Sequence, residues 1–308
     1  MRSMSRREFV GTTLGAAALA AAPAVGAPPP EAAAPAAASP AEKKKLKISV
    51  LSYSFRGLLG EGKMDIFGYL ESCKYRYGLG AADLWSGFLA STAEDYLKKV
   101  KEGLEERGLE LADIAVDAAH VWDDDPAVRE KNRANALAHL NAARLLGARF
   151  VRVDAGGRGA EWTQEAFDHI VACYREYARY AQEHGFKVGA ENHWGPEQAW
   201  ANMQKLYRAV DHPAFGVSCH IGGWAGDDAE KARADREAAP WILHTHIAWN
   251  ITSGPLLEEK LANLWNVGYG GYYSVEHHSA VNEYAEVAIQ LERVRAVLER
   301  FQAQGGTR

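Results

Sequence analysis

The stretch Lys187-Val188-Gly189-Ala190-Glu191-Asn192-His193 is a short apolar run that follows a helix-stopping Gly185 and ends in ligand-type side chains. Outward from it, short β-rich runs alternate with longer stretches of helical periodicity, the pattern of a parallel sheet covered by helices. Eight such units can be counted, with strands predicted at residues 46–53, 81–85, 111–118, 150–154, 187–191, 215–219, 242–247 and 272–276. The helix between the third and fourth strands is the clearest. Pro126 suits a first-turn position, Leu137, Leu140 and Leu145 supply a recurring apolar series, and Gly147 supplies the stop, as Gly108 and Gly185 do elsewhere. Eight βα units in roughly 260 residues match a closed barrel, whereas a doubly wound sheet more often has fewer strands and a Gly-rich phosphate loop. Neither a GxGxxG nor a Walker sequence is present. The predicted fold is therefore α/β, a single parallel eight-stranded (β/α)8 barrel over residues 46–308.

Barrel enzymes carry their reactive groups at the C-terminal ends of the strands. Four consecutive predicted strands end in such groups: Glu191-Asn192-His193, Cys219-His220, His244-Thr245-His246 and Glu276-His277-His278. Side chains two apart on a strand share a face, so Glu191 with His193, His244 with His246, and Glu276 with His278 can enter one mouth. The three cysteines, Cys73, Cys173 and Cys219, match no zinc-ribbon or CxxC spacing. A metal would therefore be held by His and carboxylates, a donor set that suits Mn, Zn, Co or Fe better than Mg.

These strand ends resemble the xylose isomerase-like TIM-barrel superfamily of sugar isomerases and epimerases, and the resemblance covers essentially the whole chain after residue 45. It implies one divalent cation held by Glu, Asp, His and Glu after strands five to eight. Glu191, His246 and Glu276 match, but His220 stands where the family's Asp is expected. The implied ligands are thus Glu191, His220, His246 and Glu276, with Glu191 and Glu276 also the acid/base pair. A cation bridging a sugar carbonyl and its neighbouring hydroxyl acidifies the intervening C–H and stabilises an enediolate, while a carboxylate moves the proton. His193 and His120 are candidates to bind substrate hydroxyls. Trp85, Trp122, Trp194, Trp224 and Trp249 are candidate walls against a sugar ring. Arg152 and Asp154 read equally as an ion pair or as substrate contacts. Trp162, Trp200, Trp241 and Trp265 read as packing, and His277 as turned away. The expected activity is isomerisation or epimerisation of an unphosphorylated sugar, ketosugar or related polyol. The alternatives are a lyase eliminating from an oxidised (keto) glycoside, or an inactive carbohydrate-binding barrel if His220 marks a lost site.

A formal net charge of −5 gives no footprint for nucleic acid. Abasic-site endonucleases share the barrel but need more His and Asp ligands, and here Gly223 stands where a later His is wanted. At the N-terminus, Ser5-Arg6-Arg7-Glu8-Phe9-Val10-Gly11 precedes a modest apolar run and resembles a twin-arginine export signal. Residues 1–27 are predicted as that signal and residues 28–45 as a Pro/Ala-rich flexible leader. The expected location is periplasmic or extracytoplasmic, without a stable membrane anchor. Phosphorylated metabolites are kept inside cells, which favours an unphosphorylated substrate.

Overall fold

The computed structural model describes residues 46–305, so the predicted export signal and leader lie outside the described residues. No described helix is long and apolar enough to cross a membrane. The strands are β1 (Ile48–Val50), β2 (Ala81–Trp85), β3 (Glu110–Val116), β4 (Phe150–Val153), β5 (Lys187–Glu191), β6 (Phe215–His220), β7 (Ile242–Ala248) and β8 (Tyr273–Glu276). They form one parallel sheet in the order β1-β8-β7-β6-β5-β4-β3-β2, a nearly closed (β/α)8 barrel. Four strands are shorter than their sequence patterns suggest, β4 and β8 by a single residue and β1 and β3 for local reasons. After β1 the chain turns into a 3-10 helix at Ser52–Phe55, and β3 ends just before Ala118, which adopts φ 51°.

The principal helices outside the sheet are α1 (Ile66–Glu71), α2 (Glu94–Glu106), α3 (Pro126–Leu146), α4 (Gln164–Glu183), α5 (Trp200–Val210), α6 (Asp228–Ala238), α7 (Leu257–Asn266) and α8 (Glu283–Gly305). In α3 the Asp125 side chain accepts from the Ala127 N–H, Pro126 opens the first turn, and Gly147 closes it at φ 74°, a left-handed conformation that glycine adopts without strain. Leu137 is a correction: it is 40% exposed, because the buried stripe runs through Ala136, Leu140, Ala143 and Leu146. Residue 137 sits about 100° around the helix from that stripe's Ala136.

Successive strand residues alternate between the helix-covered face and the barrel interior. The outer face holds Val50, Leu84, Ile114, Val151, Val153, Val188, Ala190, Val217, Cys219, Ile247 and Val275, all buried in the main apolar cluster. The inner face is polar. Asp83, Asp113, Arg152, Glu191, His244, His246, Ser274 and Glu276 are each at most 8% exposed and meet across the barrel. Beneath Glu191, Gly189 leaves room for this crowding, since a Cβ there would lie 2.1 Å from the Gly216 carbonyl oxygen and 2.9 Å from Phe150 Cζ.

The sheet closes between β1 and β2 through a parallel bridge, Leu51 to Asp83. A side chain reinforces this seam. The buried Tyr69 hydroxyl, on α1, accepts from the Asp83 N–H at 2.8 Å and lies 2.7 Å from the Val50 carbonyl oxygen. Tyr69→Phe strips both backbone groups of this partner, and such unpaired buried groups cost about 1–3 kcal/mol. Urea unfolding should show a loss of that size; an unchanged midpoint would mean the seam closes without the hydroxyl.

Candidate metal and proton-transfer site

The upper tier of the barrel interior brings together side chains from β4 to β8. Glu191 lies at its centre. Its Oε1 is 2.7 Å from His246 Nδ1 and 3.5 Å from His220 Nδ1, while Oε2 is 3.1 Å from Arg152 Nε and 3.3 Å from His193 Nδ1. From β8, Glu276 Oε2 lies 3.4 Å from His220 Nδ1, and Oε1 lies 3.4 Å from His278 Nε2. Glu191, His246 and Glu276 bring donor atoms within 4.8 Å of one another, and His220 forms a second such group with Glu276 and His278. Donors about 2.1 Å from a tetrahedral ion lie about 3.4 Å from one another, which the His220 distances match, whereas Glu191 Oε1 and His246 Nδ1 at 2.7 Å are spaced as a hydrogen bond. Glu276 Oε2 is also buried without a hydrogen-bond partner. Either group could hold a divalent ion, and the two share Glu276.

Electrostatics tie the group together. Burial alone would raise the Glu191 carboxyl, but His246, His193 and His220 hold it well below the ordinary carboxylate range. Burial likewise opposes the charged form of His246, yet Glu191 beside it raises the imidazole to about 10. In the metal-free protein this ion pair contributes to stability fully below the ordinary histidine value of 6.5 and loses it as pH rises toward 10. The thermal midpoint of chelator-treated protein should therefore fall between pH 7 and pH 10. A flat profile would show that His246 is neutral throughout.

The remaining predicted residues divide. Arg152 lies inside the site, with Nη1 2.7 Å from Asp154 Oδ2 and Nη2 3.3 Å from Asp117 Oδ1, as well as its Nε contact to Glu191. Asp154 gathers His193 and His120 at 3.7 and 3.8 Å and the Trp194 indole N–H at 3.4 Å. Trp194 packs against His120 with ring centroids 4.3 Å apart. Trp85 stands edge-on to Tyr53, which in turn faces His278. Trp249, just past β7, is edge-on to His277 at 6.3 Å. His277 turns away toward Val281 and Glu286, as the sequence suggested.

Two tryptophans depart from the expectation of a pocket wall. Trp122 is turned to the helices, with Arg129 of α3 over its ring at 4.3 Å and His169 of α4 at 5.5 Å. Trp224 is 1% exposed, packs on Trp200 and donates to Asp235. Sequence reading also passed over Asp83 and Asp113, whose carboxylates form a lower tier with His244, His246 and Ser274. The available signal was an acid in the middle of each apolar strand, Ala82-Asp83-Leu84 and Ala112-Asp113-Ile114. Burial pushes Asp113 up to about 7, with the neighbouring Asp83 adding to the effect. Asp83 is held low by His244, which overrides its burial.

Residues 75–299 match the family described as xylose isomerase-like TIM barrel. The chain belongs to that family. Among solved structures similar to this xylose isomerase-like barrel, a 3-keto-D-glucoside 4-epimerase from E. coli has a TM-score of 0.67 at 16% identity, over 82% of this chain and 100% of that one. A D-psicose 3-epimerase determined with D-fructose gives 0.64 at 13% identity, over 83% and 98%. A probable 3-DHS dehydratase from Bacillus anthracis gives 0.62 at 15% identity, over 81% and 99%. At these identities the likeness is one of fold. No curated protein sequence matches the chain.

Proposed function

We propose that this family member is a divalent-metal-dependent isomerase or epimerase of an unphosphorylated sugar, ketosugar or related polyol. The observation that carries the reading is the position of His220. It stands where the family resemblance leads one to expect Asp, yet its Nδ1 reaches both Glu191 and Glu276. The substitution would therefore add a donor beside Glu191, His246 and Glu276, through the Glu276 that both groups share. Glu191, His220, His246 and Glu276 would hold the ion. When bound, it supplies the Lewis acidity that makes a C–H beside a carbonyl easier to deprotonate.

The chain's own residues supply the proton handling. Glu191 with His193 and Glu276 with His278 are two carboxylate–imidazole pairs, each two residues apart along its chain segment. They come from β5 and β8, with β6 and β7 between them. Inverting a stereocentre requires a base on one face of the substrate and an acid on the other, and two such pairs meet that need. On the β8 side, Oε2 of Glu276 is turned to His220, leaving Oε1 to hold a proton. His278, whose side chain is 46% exposed, passes that proton to solvent. His120, Trp194 and Asp154 offer an aromatic and hydrogen-bonding edge to a sugar.

How the cations are used supports a neutral substrate. The guanidinium of Arg152 is committed to Asp154, Asp117 and Glu191, and Arg56 is committed to the backbone carbonyls of His277 and His278. A phosphate would meet guanidinium donors that are already engaged. The epimerases and the dehydratase among the similar folds support carbonyl-centred proton removal. Elimination from a keto glycoside starts with the same proton removal and is the second reading.

The test is solvent exchange. Metal-reconstituted protein is incubated in D2O with a panel of ketohexoses and 3-keto-glucosides, and proton NMR follows the position beside the carbonyl. The expected result is deuterium incorporation together with an isomer, or with an elimination product for the second reading. Metal-loaded protein that exchanges no proton on any member of the panel would leave a carbohydrate-binding barrel instead.

A further inference from the structure

His246 belongs to both tiers of the barrel interior. Its Nδ1 meets Glu191 at the mouth, while its Nε2 faces down, 3.9 Å from Asp83 Oδ2 and 3.9 Å from Asp113 Oδ2. Nε2 is buried with no hydrogen-bond partner, and so is Asp113 Oδ2. The two carboxylates are not equivalent. Asp83 Oδ2 is already taken by His244 Nε2 at 2.8 Å and by the Ser274 hydroxyl. Asp113 uses Oδ1 to accept the Arg152 backbone N–H at 3.1 Å, which fixes the carboxylate and leaves Oδ2 uncommitted beside the imidazole. A movement of about 1 Å turns that approach into a hydrogen bond.

We infer that Asp113 is a positioning residue for the metal site: it accepts the Nε2 proton of His246, so that if a metal displaces the Nδ1 proton now held against Glu191, the ring keeps the tautomer whose Nδ1 lone pair faces the mouth. The inference rests on the proposed metal site and extends it to β3, whose side chains hold no portion of the donor set. The physical reason is general. An imidazole presents a lone pair on one nitrogen only when the other carries the proton, and a carboxylate behind that proton orients the ring and strengthens its donor nitrogen. The buried Nε2 needs a partner in any case, since an unpaired polar group in the interior is costly. Asp83 acts similarly but at one remove, holding His244, whose ring stands edge-on to His246 at 5.1 Å.

Asp113→Asn separates this role from simple packing. Its Oδ1 can keep the Arg152 N–H, but its amide nitrogen then faces His246 Nε2, donor against donor, and drives the ring toward the wrong tautomer. Zn2+ affinity, measured by competition with a chelator on a variant whose circular dichroism spectrum shows it folded, should fall about 10- to 100-fold. Asp113→Ser, which removes the acceptor without opposing a donor, should lose less affinity and serves as the test if the Asn variant does not fold. Unchanged affinity in a folded variant, with wild type binding metal, would overturn the inference and leave the metal site standing. Two equivalents bound by wild type and one by Asp113→Asn would also overturn it, by making the lower tier a second cation site. A wild type that binds no metal would remove the metal-site reading itself.

Discussion

Replacing Glu191 by alanine is expected to abolish metal retention, lower turnover by about a thousandfold or more and destabilise the protein by about 3–5 kcal/mol. The size of the effect follows from its surroundings. Glu191 is 2% exposed and meets His246, His220, His193 and Arg152 within 3.5 Å. Removing its carboxylate leaves the buried Arg152 guanidinium and the charged His246 imidazole without their shared anion. Glu191→Gln keeps the shape and tests the charge alone, and it should lose metal nearly as completely. Glu276→Ala should lose metal with a smaller change in stability, because among the described residues Glu276 is flanked at such distances by His220 and His278. Elemental analysis and urea unfolding check both effects; a Glu191→Ala variant of wild-type stability would mean the imidazoles around this position are neutral.

Arg152→Met is expected to cost a similar amount, about 3–5 kcal/mol, for the opposite reason. Arg152 is 5% exposed, and its side chain reaches three carboxylates, Asp154, Glu191 and Asp117. Burial would weaken its protonation, but these carboxylates hold the guanidinium even more firmly charged than usual. Without it, Asp154 and Glu191 become buried anions facing each other through His193. A divalent ion partly replaces the missing charge. Added Zn2+ should therefore raise the thermal midpoint of the variant by more than it raises that of wild type. Equal metal-dependent shifts would mean that Arg152 is electrostatically remote from the ion.

Much of this architecture is legible before any coordinates. Helix stops at Gly108, Gly147 and Gly185 and the start at Pro126 are local chemistry, written in single residues. The four proposed donor residues are legible because each terminates an apolar run, where barrel geometry places reactive groups. What the pattern hides is depth and direction. Asp83 and Asp113 lie inside strands rather than at their ends, so attention to strand ends passes over them, although the lower tier depends on both. Trp122 and Trp224 follow strand ends yet turn toward α3, α4 and the neighbouring Trp200, because a ring's direction depends on partners far away in sequence. The same holds for the Tyr69 hydroxyl at the seam, a contact that periodicity does not encode. Leu137 shows the limit within a single helix, where one apolar residue of a series falls outside the stripe that the sheet covers.

The central claim is that Glu191, His220, His246 and Glu276 form one metal site in which His220 is a ligand. The most direct test is metal content by elemental mass spectrometry on protein purified without chelator, comparing wild type with His220→Ala and Glu276→Ala. The account predicts about one divalent ion per chain in wild type, lost from both variants. Full metal retention in His220→Ala, or a wild type that carries no metal and cannot be reconstituted, would contradict it.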